Sequence, residues 1–479
     1  MQLSWIKKGL NLFSVTVTKC RLTYFLILTA AVSILAFPGA RASIGQIIET
    51  FIPNLRPLPD PSGKLETYST AGFVDETNPF FQELGTNGRS CVTCHQPADA
   101  WSVTPPHIQE RFDESQGTDP IFRPVDGATC PTVDTSTVEN RKEAYKLLLT
   151  KGLIRIGEQI PPGADFIVTG VDNPYGCNDL NTLSMYRRPL PATNLGFLST
   201  VMWDGREFPV LAEQKPFTLA EVNAALHQQA IDATEGHAQG QRPTDLQVQQ
   251  IVDFELALFT AQSFDNQAGP LYTERAHGGP VPLSQQNFFL GINDPLGNNP
   301  TKLPFTPVIF TLYQDWLNIP DREYDEFTEA RESIARGELL FNSLPIKIKG
   351  VGGLNDMTGT CGTCHDSPAV GDHSFPAPLN IGVADKSRRT PDMPLFTFIC
   401  NDGTMVETTD PGRALVTGKC ADIGKFKGPI LRGLAARAPY FHNGMAATLD
   451  DVVTFYQQRF DLGLTDQQQR DLVAFLKSL

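Results

Sequence analysis

Cys91-Val-Thr-Cys94-His95 and Cys361-Gly-Thr-Cys364-His365 decide how this chain is read. C-x-x-C-H is the attachment signature of c-type heme: two thiols add to the vinyl groups, and the adjacent His is presented to the iron. Structural zinc knuckles and a thioredoxin-like redox pair are the competing readings. Neither explains a His directly after both pairs, and no βαβ context surrounds them. Two covalently bound heme c groups are therefore expected, on Cys91, Cys94 and His95 and on Cys361, Cys364 and His365.

Helical patterns flank both motifs. Residues 329–341 place Ile334, Leu339 and Phe341 near one face ahead of the second motif. Residues 465–479 close the chain with Thr465 as N-cap and an apolar stripe of Leu472, Val473, Phe475, Leu476 and Leu479. In the first half, Asn78-Pro-Phe-Phe-Gln-Glu-Leu84 leads into the first motif, and 244–259 repeats the helical period. A leading helix, C-x-x-C-H and a closing helix make one cytochrome c unit. The expected fold is mainly α, with two tandem cytochrome c-like heme domains and loop-rich insertions. The expected boundaries are 43–267 (insertion about 104–182), a Pro/Gly/Asn-rich connector 268–330, and 331–479.

The N-terminus supplies Lys7, Lys8, Lys19 and Arg21, an apolar run from Tyr24 to Phe37, and Ala40-Arg41-Ala42. That is the order of a cleaved secretory signal over 1–42, which predicts a periplasmic protein; an uncleaved anchor is the alternative. Removal of Lys7, Lys8, Lys19, Arg21 and Arg41 takes the formal charge from −14 to −19. So acidic a chain argues against nucleic acid as a partner, since phosphate binding needs clustered Lys and Arg. Cleavage also removes Cys20, leaving Cys130, Cys177, Cys400 and Cys420 outside the heme motifs. Three pairings are open, and nearness in sequence favours Cys130–Cys177 and Cys400–Cys420.

In order along the chain, further segments resemble the bacterial diheme cytochrome c peroxidase family, which includes the MauG enzymes. Met202-Trp203-Asp204-Gly205-Arg206 is similar to its F-W-D-G-R, and Glu213-Gln214 with Pro216-Phe-Thr-Leu-Ala-Glu221-Val to its E-Q…G-P…N-P-x-E-M. Phe254-Glu-Leu-Ala-Leu-Phe-Thr-Ala-Gln-Ser-Phe-Asp265 and Ala438-Pro-Tyr-Phe-His-Asn-Gly444 match two later segments. The resemblance implies peroxide chemistry at the N-terminal heme, with Trp203 relaying electrons from the C-terminal heme. It implies Glu221 as the acid in peroxide cleavage, with Gln214 beside it, and His442 near the second heme. Glu221 also fits a capping box with Thr218.

Counting 17 residues from Pro439 reaches Tyr456, the position of a MauG-type ligand to the second iron. A core aromatic at Tyr456 and a thioether ligand at Met445 are the alternatives. At the first heme, the family's distal His position falls near Leu180, and His107 is the one His between the first motif and Trp203. The first iron is accordingly expected to be open unless His107 folds back. The family's calcium-binding Asn aligns with Arg188, and a guanidinium cannot ligate a cation. Calcium is thus not expected unless the loop brings in Asn194. Expected partners are hydrogen peroxide and a small electron-donor protein (a cytochrome c or cupredoxin) or a protein substrate. A non-catalytic diheme electron carrier is the rival function.

Overall fold

A computed structural model describes residues 50–207, 218–320, 324–354 and 356–479. The signal segment, Cys20 and Gln214 lie outside the described residues. The chain divides into two units, 1–52 with 75–77 and 53–74 with 78–479. In the first, residues 50–52 and 75–77 are exposed or half-buried. Everything below concerns the second.

The mainly α expectation is overturned: helix accounts for 31% and strand for 16%, with the strands spread over several small sheets. The stretches without helical periodicity pair with one another. Strands β1 (Leu58–Asp60), β2 (Gly63–Ser69) and β6 (Leu258–Asp265) lie side by side, with Thr67 opposite Thr260. Strands β3 (Ile154–Gln159) and β5 (Thr182–Arg187) pair with Ile156 opposite Met185. Strand β4 (Phe166–Asp172) joins β7 (Leu395–Cys400), which also pairs with β8 (Met405–Thr408). In β7 burial alternates, so Phe396, Phe398 and Cys400 face inward against Phe166 and Met185. The segment 104–182 is therefore built into a sheet with residues beyond 390.

Two local expectations change for the same reason. The helix expected over 244–259 runs as α2 (Asp245–Ala257), and Leu258 begins β6, because the following residues satisfy their backbone groups against β2. The lead segment 78–84 forms only a single 3₁₀ turn, Pro79–Phe81. Helix α1 (Leu219–Gly236) precedes α2.

The C-terminal helices follow the sequence closely. Helices α3 (Thr328–Ser343), α4 (Leu449–Phe460) and α5 (Asp466–Lys477) surround the second heme motif. Thr465 caps α5, accepting from the Gln468 N–H. Ile334 and Phe341 are buried, whereas Leu339 is 51% exposed and lies off the core face. At Gly337 the backbones of α3 and α5 touch; a Cβ would run into the Asp471 carbonyl. Residues 309–316 join this core, where Phe310, Tyr313 and Trp316 pack with Phe341 and Phe475, while Leu283 and Leu290 pack instead with Leu195, Phe197 and Val222.

Both disulfides favoured by sequence spacing are present, Cys130–Cys177 and Cys400–Cys420. Among the described residues, no helix is long and apolar enough to cross a membrane.

Candidate functional site

Each C-x-x-C-H run folds as one 3₁₀ turn inside a capping box, Ser90 with Thr93 and Thr360 with Thr363. The turn stacks both thiols and the His on one side of the chain. All four cysteines are free thiols. His95 Nδ1 is 3.0 Å from the Trp101 carbonyl, and His365 Nδ1 is 2.6 Å from the Gly371 carbonyl. A carbonyl partner keeps the proton on Nδ1 and leaves the Nε2 lone pair for a metal. Both carbonyls sit six residues after their His, at positive φ: Trp101 at 60° and Gly371 at 80°. At Trp101 this costs roughly 1–2 kcal/mol. Full burial of its ring and an Nε1 bond to Thr67 Oγ1 of 3.0 Å hold it there.

Two large apolar pockets open beside these turns. The first is lined by Cys91, Cys94 and His95, the second by Cys361, Cys364 and His365. Free paired thiols, a tautomer-locked imidazole and an apolar cavity at each turn fit covalently attached heme.

The pockets share a wall. Arg188, Pro189, Leu190, Pro191, Trp203 and Lys427 line both. Trp203 Nε1 donates to the Arg188 carbonyl at 2.8 Å, and the Trp203 carbonyl accepts from the Lys427 N–H at 2.9 Å. On the far side, the Trp203 and His442 rings lie 6.2 Å apart, and His442 stacks on Phe426 at 3.9 Å.

Arg188 is 5% exposed, and its guanidinium donates to the carbonyls of Val103 (2.7 Å), Lys151 (2.9 Å) and Arg437 (3.0 Å). Its own N–H donates to the His442 carbonyl at 2.7 Å. Burial lowers its pKa to about 10, which still leaves it protonated at neutral pH. One side chain on the shared wall thus ties together the backbone at residues 103, 151 and 437 with a fixed positive charge. Asn194, the alternative cation ligand, instead bridges the Thr260 backbone through both side-chain atoms.

Beneath the wall, Arg187 forms a bidentate pair with Asp410 (2.7 and 2.8 Å) and a 2.5 Å bond to Asp204 of the W-D-G-R run. All three are buried. Burial alone would raise the Asp410 pKa, but the Arg187 charge and hydrogen bonds hold it below the usual carboxylate range. His442 lies 3.7 Å from Asp410, yet burial drives its pKa down to about 4, and it is neutral.

The remaining expected residues separate. Tyr456 is on the wall of the second pocket; Met445 is not among the described residues lining it. Glu221 caps α1, its carboxylate accepting from the Thr218 N–H at 2.8 Å, and it is not among the residues lining the first pocket. His107 bonds Asp99 at 2.7 Å, also away from the pocket.

Two residues that the sequence reading did not single out line the first pocket. Glu255 is 5% exposed, its Oε2 has no partner, and burial raises its pKa to about 8. His237, at the C-cap of α1, holds its Nδ1 2.5 Å from Asp126, which also pairs with Arg89 at 2.6 Å. Glu255 was within the matched F-E-x-x-L segment, where its burial was the missing signal. His237 follows Trp203 and so fell outside the stretch searched for a distal ligand.

No family model matches the chain. It is 37% identical over 134 residues to cytochrome-c peroxidase IdrP2 of Denitromonas iodatirespirans, covering 25% of this chain and 36% of that protein. It is 30% identical over 171 residues to cytochrome c551 peroxidase of Nitrosomonas europaea, covering 35% and 41%. The matches thus span well under half of these relatives. A solved MauG-like protein associated with microbial copper homeostasis aligns over 90% of this chain and 93% of its own, at 16% identity and a TM-score of 0.37. The curated relatives bear out the kinship with cytochrome c peroxidases read from the sequence.

Proposed function

We propose, from this chain's kinship with bacterial cytochrome c peroxidases, that it is a periplasmic diheme peroxidase of the MauG-containing group, reducing hydrogen peroxide at the N-terminal site. The observation that carries the reading is the wall common to two pockets, each beside its own C-x-x-C-H turn. His95 and His365 would be the proximal ligands, the four free thiols the attachment points, and Tyr456 a ligand in the second pocket. Heme c, when bound, supplies the redox chemistry of peroxide cleavage and one-electron transfer.

The chain's own residues bind, shield and move protons. Peroxide cleavage needs a group that holds a proton in a water-poor site and releases it to the departing oxygen. Glu255 meets that need, protonated at neutral pH with one carboxyl oxygen unengaged. Glu221 would fix the start of α1 through its cap. Trp203, its N–H engaged and its ring at the wall, is the proposed electron relay between the sites. Arg188 and Lys427 place positive charge between the pockets, suited to acidic groups of the bound cofactors. The two disulfides support an oxidising compartment. Overall acidity favours a basic or locally basic electron donor.

The electron-carrier reading is favoured by His237, which lines the first pocket with its Nδ1 held by Asp126. One experiment separates the two. The purified holoprotein is expected to show one high-spin iron and to respond to a peroxide titration. Two low-spin irons with no spectral response would overturn the peroxidase reading.

A further inference from the structure

Apart from the C-x-x-C-H residues, the described residues hold one buried group suited to a metal ion: Asp294, Asp366 and His373, each offering one ligand atom, all within 4.8 Å of one another, with His373 also on the wall of the second pocket. Their exposures are 3%, 0% and 5%. An acidic cluster alone means little, but the hydrogen bonding here is selective. Asp294 Oδ2 accepts from the N–H groups of Leu296 (3.1 Å) and Asn298 (2.8 Å) and from Asn298 Nδ2 (2.9 Å), while its Oδ1 has no partner. Asp366 Oδ1 accepts from the Ser374 N–H at 2.6 Å, while its Oδ2 has none. His373 Nδ1 stands 3.3 Å from that Oδ2 without hydrogen-bond alignment and is also unpartnered. Each side chain is thus anchored or packed at one end and presents one bare atom to a common point.

No lysine or arginine is paired with either buried carboxyl group among the described residues, so the common point they face can be filled by a cation or by a proton. We propose that Asp294, Asp366 and His373 bind one divalent transition-metal ion, with zinc the best fit. Calcium takes six to eight oxygen ligands and magnesium an octahedral oxygen shell, whereas an imidazole with two monodentate carboxylates suits zinc. The ion is structural. It ties residue 294 to both ends of the 366–373 loop, and that loop carries the Gly371 carbonyl that orients His365. A Cβ at Gly371 would collide with Leu431 and Phe310, so the loop has little room to find another path. The ion therefore stiffens the seat of the second proximal histidine from the edge of its pocket, where His373 is on the wall.

The test uses the heme-loaded full chain and does not depend on peroxidase activity. Metal analysis by plasma mass spectrometry, with heme iron counted separately by pyridine hemochrome, is expected to find one non-heme divalent ion per chain. Asp294→Asn and His373→Gln are expected to lose it at unchanged heme content. Should those variants not fold, dipicolinate treatment of the wild type serves instead: the melting temperature falls, the low-spin absorption of the second heme shifts, and Zn²⁺ restores both. A zinc K-edge spectrum should then show an N/O shell containing imidazole. The proposal is overturned if the protein as isolated lacks the ion and neither Zn²⁺ nor Mn²⁺ changes its melting temperature. Full metal occupancy surviving Asp294→Asn overturns it equally.

Discussion

Trp203 donates its indole N–H to the carbonyl of Arg188, a residue whose own guanidinium is bonded to the carbonyls of Val103 and Arg437. The ring of the proposed relay is therefore held by the backbone of the same residue whose side chain ties the surrounding segments together. Trp203→Phe keeps an aromatic ring but loses this bond, worth about 1 kcal/mol. Inter-heme electron transfer, followed by stopped-flow absorbance, is expected to slow at least tenfold while both hemes remain attached; an unchanged rate would remove Trp203 from the route.

Arg188→Ala leaves the buried carbonyl of Val103 and the half-buried carbonyls of Lys151 and Arg437 without their donor. Each unsatisfied buried acceptor costs roughly 1–3 kcal/mol, so urea unfolding should show a loss of about 3 kcal/mol or more. Arg188→Lys reaches fewer carbonyls and should fall in between. Added Ca²⁺ is expected to rescue neither variant if the guanidinium serves as a cross-link.

Glu255 and Glu221 are predicted to respond oppositely. Glu255 is protonated in the fold up to a pKa of about 8, which burial raises from 4.5. Its proton is lost as pH rises through 8, so peroxide turnover should fall there, and Glu255→Gln should abolish that pH step together with most turnover. Because the unfolded chain releases this proton near 4.5, stability declines with pH between 4.5 and 8, and Glu255→Gln should flatten that decline. Glu221→Gln should weaken the α1 cap, a motif worth about 1 kcal/mol, with a smaller effect on turnover.

Acid should unfold the wall first. His442 titrates near 4 in the fold against 6.5 in the unfolded chain, so stability is intact above 6.5 and is lost as pH falls toward 4. That interval corresponds to roughly 3 kcal/mol. Asp410, held low by Arg187, adds a loss in the same direction at lower pH. Denaturation midpoints measured between pH 7 and 4 should show this slope, and His442→Phe should reduce it.

The disulfides should rank by loop length. Cys130–Cys177 spans 47 residues and Cys400–Cys420 spans 20, giving about 4 and ~3 kcal/mol respectively from restriction of the unfolded chain. Paired Cys→Ser variants compared by chemical denaturation check the order.

Chemistry that is local in sequence could be read without a structure. C-x-x-C-H contains its thiols and proximal His within five residues, Thr465 caps a helix three residues ahead of Gln468, and spacing alone paired Cys130 with Cys177. Leu339 and the mainly α assignment failed where the decision is not local. The residues after Ala257 and those around Phe166 become strands because β2 and β7 offer them backbone partners from far along the chain. Residue types at Trp203, Tyr456 and Arg188 were evident, and a motif count marked them. Which groups share a wall, which carboxyl keeps its proton and which oxygens stay bare depend on burial and on contacts across hundreds of residues. Glu255 and the Asp294, Asp366 and His373 cluster emerged only there, because desolvation and unpaired lone pairs are properties of a packed interior and leave no spacing in the chain.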